Sequence, residues 1–395
     1  MGRVKRSRWQ ANVKSLEIIN KARENITSED IEFLKENYTS QGGLLPKGFN
    51  GGSFFTPTHV AKFIVDALQI PKGSRVLEPS CGSGVFFEHI PDDCKITGLE
   101  LDTTSAKVAS MIYPDAEVIT GNALEHKRRD YYDFVIGNPP FGETIEVEGR
   151  TDFETLKYTK KTNMSKGKSE FAFVEFAVKA AKPGGYIAFI LPMNFSFAEP
   201  AKKVRQVMYD TCWHVATVKL PPTTFQYVGT GVATQILILR KVTPNAQKIR
   251  AHPEFLRPYN FNGKRKIKYI AKFFEGQTPA YMAEVTDIGY GKDGKSTYDA
   301  KYGTQLDALL DDFTDGNLVR SSLYPHVPSW MNRGSINGYM FFNEDCEGYR
   351  DAKRSYADGP YRWNEITLGN GEGRSWDFTW QDEIVTEYYE KEVAS

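Results

Sequence analysis

The sequence predicts an α/β protein built on an open, mostly parallel sheet with helices on both faces, followed by a smaller C-terminal domain. Three observations carry that prediction. Apolar strand-like runs alternate with amphipathic helical patterns from about residue 55 to residue 241. The first strand-like run ends in a glycine-rich turn, "LEPSCGSG". The alternation stops near residue 242, where the composition changes. The boundaries that follow are a helical N-terminal segment, 1–50, a central α/β domain, 51–241, and a C-terminal region, 242–395.

Each element has its own signal. "TSEDIEFLKENY" opens with Thr27 three residues ahead of an acid, as a capped helix does. "HVAKFIVDAL" has the apolar spacing of an amphipathic helix, and "RVLEPS" follows as the first strand. "KITGLE", "TTSAKVASMIY" and "EVITGN" then read as strand, helix and strand. "YDFVIGNPP" is a fourth strand ending in two prolines, and "FAFVEFAVKAAKPGG" a helix closed by Pro-Gly-Gly before the strand "YIAFILP". "WHVATVKLP" and "TQILILRK" complete the sheet. The glycines at 82 and 84 predict a tight turn leading directly into a helix.

Totals narrow the function classes. The 395 residues carry 50 basic and 50 acidic side chains, so net charge favours no class of partner, and only local basic faces count. Cys81, Cys94, Cys212 and Cys346 form no Cys-x-x-Cys pair, which argues against a disulfide framework or a zinc cluster. The opening "MGRVKRSRWQANVK" is basic but leads into no apolar signal segment, and no run reaches membrane-spanning length. The chain reads as soluble and cytoplasmic, with no metal and no membrane partner.

In an open parallel sheet, ligands lie at the carboxyl ends of the strands, which makes those ends a list of candidate site residues. The first end offers Glu78 and a loop in which Gly82 and Gly84 permit close backbone approach. No Gly-Lys-Ser/Thr follows, so it is not a phosphate loop, and Phe87 breaks the dinucleotide pattern. The second strand ends in Glu100, an acid placed to accept from ribose hydroxyls. The third ends in "GNAL", where Asn122 can bond an adenine edge. Turn, acid and amide on successive strands describe a pocket for an adenosine-bearing cofactor.

With the fourth strand the pattern becomes specific. "FFTP" (54–57), "VLEPSCGSGVFF" (76–87), Glu100, "GNAL" (121–124) and "GNPPF" (137–141) resemble, in this order, the motifs of S-adenosylmethionine-dependent DNA methyltransferases. They are most similar to the gamma-type adenine amino-methyltransferases. The resemblance implies a Rossmann-like class I methyltransferase sheet. It implies S-adenosylmethionine as cofactor, held on its methionine side by Phe55, Thr56, Pro57, Glu78, Ser80, Cys81, Gly82 and Gly84. Glu100 would hold the ribose and Asn122 the adenine, with Leu101, Ala123 and Asn138 also bordering the cofactor. Asn122 departs from the family, which usually has Asp there.

The Asn-Pro-Pro-Phe motif has a physical reading. The exocyclic nitrogen of adenine is a poor nucleophile because its lone pair is delocalised. Two acceptors on its two N–H bonds, the Asn138 side-chain oxygen and the Pro139 carbonyl, would stabilise the developing positive charge. Pro139 and Pro140 stiffen the turn, and Phe141 offers a face for base stacking. A base inside duplex DNA must be flipped out to reach such a pocket, so double-stranded DNA is the implied partner.

Two stretches are candidates for the phosphate backbone. "TLKYTKKTNMSKGKS" (155–169) has five lysines and no acid, with Lys157, Lys160 and Lys161 foremost; its alternative reading is a solvated loop. Residues 248–275 carry eight Lys/Arg against two Glu, including Lys264, Arg265 and Lys266. Phe195 and Phe225 are candidates for a second stacking aromatic. Cys81, His59, His89 and His214 read as packing residues. Cytosine N4, an RNA guanine or a protein glutamine amide stay open as alternative acceptors. A homodimer, or a subunit that needs a partner chain, stays open as the assembly.

Overall fold

The computed structural model describes residues 3–39, 56–196, 198–228, 231–241, 281–289 and 303–315. Its centre is an eight-stranded sheet. In chain order the strands are β1 (Arg75–Glu78), β2 (Lys95–Glu100), β3 (Glu117–Thr120), β4 (Tyr132–Gly137), β8 (Ala181–Pro192), β9 (Cys212–Leu220), β10 (Thr234–Lys241) and β11 (Tyr281–Glu284). They lie in the order β11-β9-β10-β8-β4-β1-β2-β3. β10 runs antiparallel to both its neighbours, and every other pairing is parallel. The predicted mostly parallel sheet is therefore present, and a strand from beyond residue 242 forms one edge of it.

Alternating side chains along the strands feed two cores. On one face Ile136, Ala188, Ile190, Ile236 and Ile238 pack with α3 (Thr58–Leu68) and with Leu306 of the C-terminal helix Gln305–Asp315. On the other, Val135, Ile187, Phe189, Leu237 and Leu239 pack with α5 (Ser169–Ala180) and α6 (Lys202–Thr211). Each large apolar side chain removed from water in this way contributes about 2 kcal/mol. We number the C-terminal helix α7.

The N-terminal helices α1 (Arg3–Ile19) and α2 (Ser28–Leu34) rest on α4 (Thr103–Ile112) through Ile18, Leu34, Val108 and Ile112. Thr27 caps α2 as its sequence predicts: its hydroxyl accepts from the Asp30 amide while Asp30 accepts from the Thr27 amide. Such a box is worth about 1 kcal/mol. Tyr38 ties this layer to α4 through Ser105 at 2.9 Å, and burial raises its phenol to about 12.

Three local expectations need correction. No α-helix follows the glycine turn; only a short 3₁₀ turn, Phe87–His89, forms before Pro91 and Cys94 redirect the chain. The helix expected to close on Pro-Gly-Gly ends at Ala180, and those residues lie inside β8, since the residue before a proline resists helical backbone. The lysine-rich stretch at 155–169 is not a loop. With residues 144–148 it builds a second, three-stranded antiparallel sheet of β5 (Thr144–Glu148), β7 (Met164–Lys168) and β6 (Lys157–Thr159), in the order β5-β7-β6.

That small sheet explains the burial of α5 on nearly every side, because α5 contacts β4 and β8 of the main sheet and β5 and β7 of the small one. Among the described residues no helix is long and apolar enough to cross a membrane, and no group of His, Cys, Asp or Glu is placed to hold a metal ion.

Candidate functional site

The strand order reverses direction between β1 and β4, since β2 lies on one side of β1 and β4 on the other. The crevice outside their carboxyl ends is the expected ligand position of such a sheet. Glu78 ends β1, and Asn138 follows directly on β4. The two loops are joined: the Ser80 hydroxyl donates to the Asn138 backbone carbonyl at 3.2 Å.

Glu78 is 2% exposed. Its Oε2 is buried without a hydrogen-bond partner among the described residues. Burial, with the negative charge of Glu100 added to it, holds the Glu78 carboxyl well above the usual range. The chain approaches it closely, since a Cβ on Gly137 would stand 3.4 Å from Glu78 Cγ. The Cys81 thiol is also pushed up, by burial first and then by Glu78 and Glu100.

The loop after β1 is fixed by β2. The Cys81 amide donates to the Leu99 carbonyl at 3.0 Å, and the Gly82 amide to Glu100 Oε2 at 2.7 Å. The other oxygen of Glu100 accepts from the Asp102 amide at 2.8 Å. Burial raises the Glu100 carboxyl, and these two amide bonds oppose the rise. Gly84 turns with φ +86°, and a Cβ there would press on Phe87 and Tyr113 at 2.8–2.9 Å. Gly98, which the sequence reading passed over, is required by close approach: a Cβ would stand 2.8 Å from Cys81 Sγ and 2.6 Å from Phe87 Cζ. A glycine inside an otherwise apolar strand was the available signal.

The remaining candidates fall as follows. Leu101 stands 73% exposed beside Glu100, a large apolar side chain left in solvent. Asn122 uses its side-chain oxygen to cap the turn Ala123–Glu125, accepting from the Leu124 amide at 3.1 Å, while Ala123 is buried. Thr56 and Pro57 are buried just ahead of α3. Phe55, like Phe54, lies outside the described residues, as do Lys264, Arg265 and Lys266. Phe141 is 7% exposed. Phe195 and Phe225 are fully buried in opposite cores, where neither presents a face to a ligand. Lys157, Lys160 and Lys161 are exposed on the small sheet and its hairpin turn.

Sequence reasoning also missed two acids of α5. Glu170 accepts from the Gly142 amide at 3.0 Å. Glu175 accepts from the Glu154 and Thr155 amides, both at 2.8 Å. An acid inside the apolar run "FAFVEFAV" was the legible hint.

Known proteins share this chain's pattern. The defense against restriction protein B of Escherichia phage P1 is 25% identical over 244 residues, covering 60% of this chain and 10% of that protein. The EcoEI type I restriction enzyme methylase subunit of Escherichia coli is 26% identical over 225 residues, covering 50% of this chain and 44% of that one. The chain thus spans less than half the length of either relative. Among solved structures, the type I restriction-modification methyltransferase subunit from Streptococcus thermophilus aligns at a TM-score of 0.39 with 18% identity, covering 52% of this chain and 54% of that one. A family model described as N-6 DNA Methylase matches residues 24–254, more than half of the 395 residues, and the chain belongs to that family.

Proposed function

We propose that this chain methylates the exocyclic N6 amino group of an adenine flipped out of double-stranded DNA, with S-adenosylmethionine as methyl donor. The observation that carries the reading is the Asn-Pro-Pro-Phe turn at the end of β4, bonded by Ser80 to the loop that follows Glu78, a buried acid whose Oε2 has no partner among the described residues.

The residues present fit the cofactor. Its methionine ammonium is a cation with donors to spare, and Glu78 Oε2 is a buried acceptor with no partner among the described residues. Glu100 stands at the next strand end to accept from ribose hydroxyls, and exposed Leu101 offers an apolar edge to the adenine ring. Asn122 would meet the adenine edge beside its cap bond to Leu124, and the Ser80–Cys81–Gly82–Gly84 loop with Thr56 and Pro57 would enclose the methionine side. When bound, S-adenosylmethionine supplies an electrophilic methyl group on a sulfonium.

The chain's own part is orientation. The Asn138 side-chain oxygen and the Pro139 carbonyl accept the two amino protons of the target base, which turns its lone pair outward. The developing positive charge on nitrogen rests against those two dipoles. Pro139 and Pro140 have no N–H with which to compete for them. Phe141 supports the ring from below, and for this it must leave its buried position when DNA arrives. Lys157, Lys160 and Lys161 on the small sheet meet DNA phosphates, and Lys264, Arg265 and Lys266, outside the described residues, are further candidates for phosphate contact.

A partner chain is part of the reading. The EcoEI relative is by name a methylase subunit, and this chain spans 44% of it. The test is transfer of labelled methyl from S-adenosylmethionine to unmethylated genomic DNA, with nucleoside digestion and mass spectrometry. N6-methyldeoxyadenosine is expected. N4-methyldeoxycytidine would move the target to cytosine. No methylated nucleoside, with cofactor binding intact, would overturn the reading for the isolated chain.

A further inference from the structure

The turn that begins at Asn138 is held at both ends by side chains from other elements. Upstream, Ser80 bonds the Asn138 carbonyl. Downstream, Gly142 is bonded through both of its backbone groups. Its amide donates to Glu170 Oε2 at 3.0 Å, and its carbonyl accepts from the Lys168 ammonium at 3.1 Å. The same Glu170 oxygen accepts from the Ser169 hydroxyl at 3.2 Å, and the Ser169 amide donates to the Glu143 carbonyl at 3.1 Å. Residues 142 and 143 are thereby tied to residues 168–170. Gly142 has φ +85°, and a Cβ there would meet nothing within 4 Å, so backbone shape rather than crowding selects glycine.

Glu170 is suited to act as a fixed reference. It lies buried in the first turn of α5, where a negative charge is favoured by the helix dipole. The helix itself is packed against both sheets. A carboxylate bond to a backbone amide is stronger than a neutral one.

We propose that Glu170 is a positioning residue for methyl transfer: it anchors the downstream end of the Asn138–Gly142 turn to α5. This inference rests on the catalytic reading of that turn. Because Lys168 ends β7, the same joint sets where the lysine-bearing sheet stands relative to the base pocket. Without the Glu170 acceptor the Gly142 amide loses its bond to α5, and the downstream end is left to the Lys168 bond to the Gly142 carbonyl and the Ser169 bond to the Glu143 carbonyl. Displacement of the Asn138 and Pro139 acceptors by about an ångström is worth up to roughly a hundredfold in rate.

The experiment compares E170A, E170Q and G142A in the full chain. E170A is expected to lower kcat on unmethylated genomic DNA by about tenfold to a hundredfold, with the Kd for S-adenosylmethionine within about twofold of wild type. E170Q keeps an amide oxygen that accepts from Gly142 and should recover most of the loss. G142A strains the joint without touching α5 and should reproduce the E170A defect. Hydrogen exchange over residues 138–143, measured without DNA, should quicken in E170A and G142A but not in E170Q.

Wild-type kcat in E170A, or a defect in E170Q equal to that of E170A, would overturn the proposal. So would unchanged exchange over residues 138–143 in E170A. If E170A does not fold, G142A and E170Q decide by the same readouts. If the wild-type chain transfers no methyl group, the catalytic reading fails, and the exchange comparison alone decides whether Glu170 anchors the turn.

Discussion

Glu78 in the main sheet and Glu175 beneath the small one are both almost fully buried, at 2% and 1% exposure, yet their oxygens are occupied differently. Each oxygen of Glu175 accepts a backbone amide at 2.8 Å, and Lys179 approaches to 3.6 Å. Glu78 keeps one oxygen with no partner among the described residues and faces a second acid, Glu100. A buried polar group without a bond costs free energy, so the Glu175 arrangement is architecture, and the Glu78 arrangement supports the cofactor contact proposed for it. Beside the small sheet both Glu175 oxygens are bonded, although the Thr155 hydroxyl there is itself buried without a partner among the described residues.

The largest effect should come from the architectural acid. Glu175→Ala takes the acceptor from two part-buried amides at the bend that enters β6, which costs roughly 1–3 kcal/mol in all. Thermal unfolding should register it as a clear fall in Tm. A fall no greater than that of an exposed substitution would erase the contrast with Glu78. Asn138→Ala should do the reverse: Tm and cofactor Kd stay within a few-fold of wild type, while turnover falls roughly a hundredfold to a thousandfold. Near-normal turnover would remove Asn138 from the chemistry.

Glu78→Gln sharpens the comparison through pH. A carboxyl raised in the folded chain binds its proton there more tightly than when unfolded. The folded state therefore holds more protons above the ordinary carboxylate range, and stability falls as pH rises toward the raised value. Glu100 acts in the same direction. His214 opposes both: burial lowers its imidazole to about 3, so its contribution is lost as pH falls from 6.5 toward 3. Glu78→Gln should raise Tm at pH values above the ordinary carboxylate range and flatten the decline there, while S-adenosylmethionine binds about tenfold more weakly. Calorimetry in two buffers of different ionisation enthalpy should find proton release on binding in wild type and less in the variant. Equal release in both would show that Glu78 is not the group that meets the cofactor's charge.

These contrasts were unequally visible in the sequence. Strands such as "YIAFILP" and "TQILILRK" declared themselves because burial on both faces demands continuous apolar runs. Strand ends declared Glu78, Glu100 and Asn138 because a parallel sheet gathers them on one edge. The small sheet did not, since only one of its faces is buried. Val147 and Leu156 face the core, while "KYT" and "MSKGK" show lysine and glycine at positions where strand propensity is weak. The roles of Glu170 and Glu175 depend on amides 20 to 28 residues away, and no local pattern encodes that pairing. Phe195 and Phe225 looked like ligand platforms because an aromatic near a strand end has the same local signature in a pocket and in a core.

The smallest effect per residue is expected on the exposed face of the small sheet. There Lys166 stands directly opposite Lys157, a like-charge pair, and Lys166 is bonded to Glu146 at 2.5 Å on its other side. Cross-strand lysines repel each other, so the ladder gains when an anion joins it. Lys160 and Lys161 extend the same positive edge around the hairpin turn. Exchanging Lys157, Lys160 and Lys161 for alanine removes charge without touching the Glu175 anchor, so Tm should hold. DNA affinity should weaken, and the slope of log affinity against log salt should flatten by roughly 0.9 for each lysine that meets a phosphate. An unchanged slope would mean that the phosphates lie elsewhere and that the lysines serve only as a solvated face. A flattened slope with normal kcat at saturating DNA would separate docking on the small sheet from chemistry at the Asn138 turn.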